Sequence, residues 1–220
     1  MQYIEQILFV AILAVAIYFF TQKVKQIRRN ILIGKDQIIN DNKPARWMMM
    51  AKVALGQSKM VVRPVAGFFH ILIYLGFVLI NIEVLEILMD GIFGTHRVLS
   101  FMGPVYDAAI GFFEILAVLV LVSCLVFLGR RFVVHIPRFH SPEMKGWATK
   151  DATYILVIEI VLMGALLKMN AVDQVLQSKG ADHYVAAGSF PVSQYLVGFF
   201  QNYDISTLVV LERVFWWFHI

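Results

Sequence analysis

Long apolar segments, each near the length that crosses a bilayer, constrain the fold of this chain most strongly. A transmembrane helix needs about 20 predominantly apolar residues, and five segments approach that length: residues 3–20, 64–89, 105–127, 152–167 and 205–220. The chain is 60% hydrophobic, above the roughly 45–50% of soluble domains. The residue alternation of outer-membrane barrels is missing from these segments. The sequence therefore predicts an all-α integral membrane bundle with five transmembrane helices.

Basic residues are concentrated in two of the connections between these segments. Ten lie between Lys23 and Arg63 and five between Arg130 and Lys150. Cytoplasmic loops are enriched in Lys and Arg, so the N-terminus is predicted to lie outside and the fifth helix to run inward to a cytoplasmic C-terminus. The net charge of +4 is thus explained by topology, and no nucleic-acid partner is expected.

The sequence near each end of the chain supports a further prediction. No basic residue precedes the first apolar segment, which argues for a retained span rather than a cleaved signal. The chain is therefore predicted to be a multi-pass protein of a prokaryotic cytoplasmic (inner) membrane, in contact with lipid. The fifth segment reaches Ile220 with no glycine, basic stop or cap, which predicts a missing cytoplasmic domain after residue 220.

His70 and His219 lie within apolar segments, where an imidazole is costly unless it is coordinated or hydrogen bonded. At 1.5 Å per residue, His70 lies about 10 Å into the membrane from the cytoplasmic side. His219 lies about 21 Å along the fifth segment, or about 9 Å from the inner face of a core about 30 Å thick. The two imidazoles therefore arrive at one level, as the axial ligands of a single inner-leaflet haem b iron require.

Other roles remain open for the histidines of this chain. His70 and His219 would each hydrogen bond a neighbouring helix if no haem is bound. His135 and His140, at the inner end of the third segment, are a weaker alternative for one ligand. His96 lies in an outer loop and is expected to be solvated, as is His183.

Arg63 precedes His70 by two helical turns on the same face. It would either pair with a haem propionate at the inner surface or anchor the helix at the headgroups. Gly67 and Gly76 would either leave room for a flat macrocycle or allow close packing of helices.

Carboxylates buried in a membrane can relay protons. Glu114 and Glu159 are the candidate proton-relay residues for quinol chemistry. Glu83 and Glu86 are expected to be solvated near the outer boundary, and Glu212 is expected to pair with a charge on another helix. Because Cys124 is the single cysteine and an iron–sulfur cluster takes about four thiolates, any cluster is expected in a partner or a downstream domain.

The run GQSKM at residues 56–60, the run RPVAGFFH at residues 63–70 and the histidine on the fifth segment carry a resemblance. The chain resembles the membrane cytochrome b module of the respiratory nitrate reductase gamma subunit. It is also similar to the membrane subunit of heterodisulfide reductase and to fused relatives with a cytoplasmic iron–sulfur domain. The resemblance implies electron transfer between a membrane quinone and a cytoplasmic iron–sulfur partner, with an inner haem ligated by His70 and His219.

The chain departs from this family at the outer haem. The resemblance implies further ligands late in the second segment and early in the fifth, where the chain has Ile80 and residues 201–211. One haem is therefore predicted, unless residues beyond position 220 or another subunit supply ligands. The family's quinone site, which is associated with the outer haem, is then open to question.

The sequence thus predicts a haem b electron-transfer module that links the quinone pool to a cytoplasmic iron–sulfur oxidoreductase. Whether the chain is itself an enzyme is left open, since substrate identity would be decided in the cytoplasmic part. The alternatives are a non-redox membrane anchor or transporter subunit, and a haem-bearing anchor without quinone chemistry.

Overall fold

The computed structural model describes residues 2–35, 37, 39–134, 136–142 and 146–220. Within these residues the chain is helical and contains no strand. The α-helices are α1 (Gln2–Ile31), α2 (Lys43–Met50), α3 (Pro64–Phe93), α4 (Pro104–Phe132), α5 (Trp147–Ser178) and α6 (Ile205–Trp217). A π-helical turn, Ala51–Leu55, follows α2, and short 3₁₀ turns span Val98–Met102, Pro137–His140 and Ser193–Phe199. The prediction of an all-α protein is confirmed.

Four of these helices, α1, α3, α4 and α5, are long and apolar enough to cross a membrane, which indicates a membrane protein. They run well beyond the predicted segments, so that α5 covers 32 residues. The fifth predicted segment differs, because α6 has 13 residues and is about 20 Å long at 1.5 Å per residue. Five spans and their orientation therefore stay a prediction.

Local sequence explains where the helices begin and end. Pro64 and Pro104 occupy first-turn positions, where a missing N–H costs nothing. Gly94 ends α3 with φ of 68°, a left-handed conformation that glycine adopts without a Cβ clash. Asp204 caps α6, since its carboxylate accepts a hydrogen bond from the backbone N–H of Thr207 at 3.1 Å.

The helices pack in sequence order around the buried face of α4. α3 and α5 lie on either side of α4, α6 packs on α5, and α1 lies along α3. α1 adds little to the core, and its main buried residue is Phe9, whose ring covers Gly91 of α3. Cys124 is fully buried in α4, as expected for a packing residue.

A cluster of charges is buried at the end of the bundle where α3 ends and α4 begins, here called the outer end after the predicted topology. Arg97, in the connection between α3 and α4, donates from Nε to Asp173 of α5 at 2.6 Å. Its other nitrogens donate to the Tyr106 hydroxyl and to Asn170 Oδ1, each at 3.0 Å. Burial alone would lower the pKa of Arg97, but Asp173, Tyr106 and Glu83 together outweigh it and raise that pKa. This cluster ties the outer connection to both α4 and α5.

Replacing Arg97 with Met is expected to destabilise the bundle by about 3–5 kcal/mol, because the buried Asp173 carboxylate would lose its charged partner. Unfolding in detergent micelles measures this change. Arg46→Met is the matched control, because Arg46 lies 3.8 Å from Asp41 with both side chains at least half exposed (51% and 78%). An exposed pair contributes about 0–1 kcal/mol. Equal losses in the two variants would contradict the role given to Arg97.

The cap of α6 is expected to depend on pH. Hydrogen bonds from Ser206 and Thr207 lower the pKa of Asp204. The stability that the cap adds is therefore fully present above the unfolded pKa of about 3.9, and it is lost as the pH falls through the lower pKa of the folded protein. Asp204→Ala is expected to speed hydrogen exchange of the first-turn amides of α6. Asp204→Asn keeps an accepting oxygen and serves as control. Unchanged exchange in the alanine variant would contradict this cap.

Candidate functional site

A large cavity, here called the central cavity, lies between α3 and α5 with α4 behind it. Its volume is about 620 Å³, within the roughly 300–1,000 Å³ that small-molecule and cofactor sites occupy. Residues within 70–87 of α3 and 155–166 of α5 line it, together with Val120 of α4. Most of these side chains are apolar. The polar exceptions include His70, Glu83, Glu159 and His219.

His219 lines the central cavity, and one of its ring nitrogens has no hydrogen-bond partner among the described residues. Its Nδ1 lies 2.9 Å from the backbone carbonyl of Phe215, and because a carbonyl only accepts, Nδ1 carries the proton and donates. In the neutral ring the lone pair then belongs to Nε2. That atom is buried and has no hydrogen-bond partner among the described residues. A histidine held by a backbone carbonyl through one nitrogen and open at the other is arranged as a metal ligand.

His70 lines the same cavity from α3 and is half-buried. The two histidines predicted from the sequence to meet therefore face one space, from α3 and from the turn that follows α6. Within the described part of the chain, no group of three or more His, Cys, Asp or Glu side chains could hold a metal ion. A site built on this cavity thus has two histidine ligands at most from those residues.

A second cavity, here called the basic cavity, adjoins the first at His70 and Met60, which line both. It has a volume of about 520 Å³ and is lined by three cations, Lys59, Arg63 and Arg130. Arg63, predicted to pair with a propionate, is exposed at this end. The combined space is therefore apolar towards α5 and positively charged at the N-terminal end of α3.

Two of the three glycines of α3, Gly67 and Gly76, allow close packing. A Cβ on Gly76 would collide with Cγ2 of Val120, and a Cβ on Gly67 would lie 2.8 Å from the backbone oxygen of Met60. Gly76 also lines the central cavity. It therefore allows close packing of the helices and also leaves room beside α3, the two roles that the sequence left open. Gly67 does not line it and lets the preceding loop lie against α3.

The two predicted proton-relay carboxylates lie in different surroundings. Glu159 is half-buried in α5 and lines the central cavity. Glu114 is fully buried in α4 and accepts hydrogen bonds from Asn170 at 3.1 Å and from the backbone N–H groups of Val192 and Ser193 at 2.9 and 3.1 Å. Ser193 also donates to it through its hydroxyl. A relay role for either residue stays a prediction.

The expectation that Glu83 and Glu86 are solvated is wrong, since each is only 4% exposed. The outer connections fold back over the ends of α3, α4 and α5, which the apolar pattern did not reveal. Glu86 accepts hydrogen bonds from the Leu99 N–H and the Tyr106 hydroxyl, each at 2.8 Å. Glu83 lines the central cavity, and neither of its oxygens has a partner among the described residues. Sequence reasoning missed Glu83 as a site residue.

Of the remaining expectations on charged residues, those for His96 and Glu212 are wrong and the one for His183 is confirmed. His96 was expected to be solvated, but its side chain is 7% exposed and its Nε2 lies 3.2 Å from Asp173 Oδ1, because the outer connection covers it. His183 is exposed, as expected. Glu212 pairs with the adjacent Arg213 at 2.6 Å rather than with a charge on another helix. His135 lies outside the described residues, as does the side chain of His140.

Two known proteins are similar to this chain. The first is the probable iron-sulfur-binding oxidoreductase FadF of Bacillus subtilis, 24% identical over 218 residues, covering 97% of this chain and 28% of FadF. The second is the EtfAB:quinone oxidoreductase of Syntrophomonas wolfei, 23% identical over 198 residues, covering 86% of this chain and 26% of the relative. The chain thus spans about a quarter of the length of these relatives.

No protein-family model matches the chain, and no solved structure matches it. Both similar proteins are named as oxidoreductases. The similarity therefore indicates an oxidoreductase-related protein and supports a redox-linked role.

Gly76→Ala is expected to destabilise the bundle by about 1–3 kcal/mol, because the new methyl would collide with Val120 at the back of the central cavity. In a Val120→Ala background the same change is expected to be neutral or stabilising, since Ala is favoured over Gly in a helix by about 1 kcal/mol. Unfolding of the four proteins in detergent measures both effects. A similar loss in both backgrounds would contradict the proposed contact.

Proposed function

We propose that this chain is a haem b electron-transfer module, with His70 and His219 as the two axial ligands of one haem towards the inner leaflet. The observation that carries the proposal is the buried Nε2 of His219, which has no partner among the described residues and belongs to a side chain that lines the same cavity as His70. A buried polar atom without a partner is costly unless a ligand satisfies it.

The residues present fit this cofactor in shape and in charge. The apolar central cavity suits the macrocycle, and the neighbouring basic cavity suits its two carboxylates. Arg63 lines that basic cavity and would pair with a propionate, as a charge-assisted hydrogen bond to a carboxylate is among the strong ones. Lys59 and Arg130 supply further positive charge. When bound, haem supplies a one-electron redox couple, while the protein sets its position and surroundings.

The electrons would pass between the membrane quinone pool and a cytoplasmic iron–sulfur oxidoreductase. One similar protein is named as iron–sulfur-binding and the other as a quinone oxidoreductase, and the chain has a single cysteine. The cluster would therefore belong to a partner or to a domain after residue 220, and the chain would be the membrane component of an oxidoreductase.

The proposed topology has five spans in a prokaryotic inner membrane, with the N-terminus outside and α6 as the fifth span. Its support is the excess of Lys and Arg in the connections before α3 and before α5. The basic cavity and the haem would then lie near the cytoplasm, within reach of the iron–sulfur partner.

His70→Ala and His219→Ala are each expected to abolish the reduced-minus-oxidised haem absorbance of the purified protein, because either change removes an axial ligand. His183→Ala is the matched control, since this exposed histidine lies in the outer connection and away from the central cavity. It is expected to keep the full spectrum.

Absence of any haem spectrum from the native protein, which a non-redox anchor or transporter subunit would give, would overturn the proposal. A spectrum kept in one histidine variant would remove that residue from the ligand pair. Haem reduction by added quinol separates a quinone-linked module from an anchor that carries haem alone.

A further inference from the structure

Glu83 differs from the other buried carboxylates in having no partner among the described residues. Its side chain is 4% exposed, it lines the central cavity, and both of its oxygens are buried and free of hydrogen bonds. Glu114, by contrast, receives four donors. A buried carboxylate that no protein group satisfies is expected to meet a ligand or a proton in the space that it faces.

Three carboxylates form a line on one face of α3. Glu83, Glu86 and Asp90 are spaced at i, i+3 and i+7, so each lies about one helical turn beyond the last. The whole line covers about 10 Å along the helix axis. It begins at the central cavity with Glu83 and ends near the end of α3, where Asp90 is half-buried.

The outer end of this line opens towards the surface. Asp90 lines a small cavity of about 60 Å³, whose other polar lining residues include Glu5, Thr95, Arg213 and the exposed His183. Asp90 also accepts a hydrogen bond from the hydroxyl of Thr95 at 2.5 Å. A series of groups able to carry protons therefore runs from the central cavity to the outer face.

The charges that face Glu83 come from the neighbouring elements as well as from α3. They are Arg97 in the outer connection, Glu114 in α4, Asp173 in α5 and Glu86 in α3 itself. The guanidinium of Arg97 is already bound by Asp173, Tyr106 and Asn170. Glu83 thus has a cation nearby without a direct ion pair, and its carboxyl group is free to exchange a proton.

We propose that Glu83 exchanges protons with a quinone headgroup in the outer part of the central cavity, and that Glu86 and Asp90 connect it to the outer face. This inference rests on the proposed function. Glu83 lies 13 residues beyond His70, about 20 Å along α3. The headgroup is thereby placed beyond the haem ligands and towards the outer leaflet.

The chemistry balances as a reversible two-electron reaction. Oxidation of a hydroquinone releases two electrons and two protons. A haem held by His70 and His219 would supply a one-electron acceptor for those electrons, and the iron–sulfur partner would be their final acceptor. Both hydroquinone O–H bonds break, and each proton forms a new O–H bond on the Glu83 carboxylate before it moves to Glu86. Quinone reduction follows the same path with every transfer reversed.

The test uses the full chain with its haem, in liposomes, with short-chain benzoquinol and naphthoquinol as probes. Glu83→Gln keeps the size of the side chain but removes the proton acceptor. Haem reduction by quinol is expected to slow about 100-fold, in the range lost with a general base, while the haem spectrum is unchanged. Glu83→Asp keeps the carboxylate and is expected to retain much of the rate.

Two further readouts do not rely on the rate of haem reduction. The infrared difference spectrum on binding the oxidised quinone is expected to contain a carboxyl band that Glu83→Gln removes. Protons released by quinol oxidation are expected on the side of the outer connections, as reported by an impermeant pH dye. Asp182→Asn, at an exposed acid outside the line, is the matched control and is expected to change neither readout.

Several outcomes would overturn the inference. They are an unchanged rate and band in Glu83→Gln, loss of both in Glu159→Gln instead, and proton release on the opposite side. If Glu83→Gln does not fold, Glu86→Gln interrupts the line one step further out, and an unchanged rate there would also overturn it. Failure of the proposed function is distinguishable, because native protein without haem still reports quinone binding through the infrared band.

Discussion

The buried ion pair between Arg97 and Asp173 is the interaction on which the outer half of this bundle depends. A charge away from water is tolerated only when it is paired and hydrogen bonded, and Arg97 meets that condition by contacting both α4 and α5. The pair fixes the connection that covers the ends of the helices. It also occupies the nearest guanidinium, which leaves Glu83 without a direct partner.

The length of the apolar segments and the spacing of two histidines predict much of this architecture. A rise of 1.5 Å per residue along two antiparallel helices is enough to place His70 and His219 at a similar level, and both side chains line one cavity. The basic cavity likewise agrees with the position of Arg63 two turns from His70. Such agreement is possible because helix geometry converts sequence separation directly into distance.

Burial of the outer polar residues could not be predicted, since it depends on contacts between distant parts of the chain. Arg97 and Asp173 are 76 residues apart, and Glu114 and Ser193 are 79 apart. No local pattern shows that residues 179–204 fold back over α4 and α5. Glu83 and Glu114 therefore look alike in the sequence, although one is unsatisfied and the other is held by four donors.

The arrangement of the helices decides whether the central cavity opens to the lipid or to the water. α3 and α5 both pack on α4, and two rim residues of the cavity, Phe77 and Ile155, are largely exposed. In a bilayer these rim side chains would touch acyl chains, so molecules would arrive by lateral diffusion within the membrane plane. Access to the cavity would then depend on partitioning into the bilayer. Reactants with long apolar tails would be concentrated at the opening, whereas hydrophilic electron donors of similar shape would stay in the water.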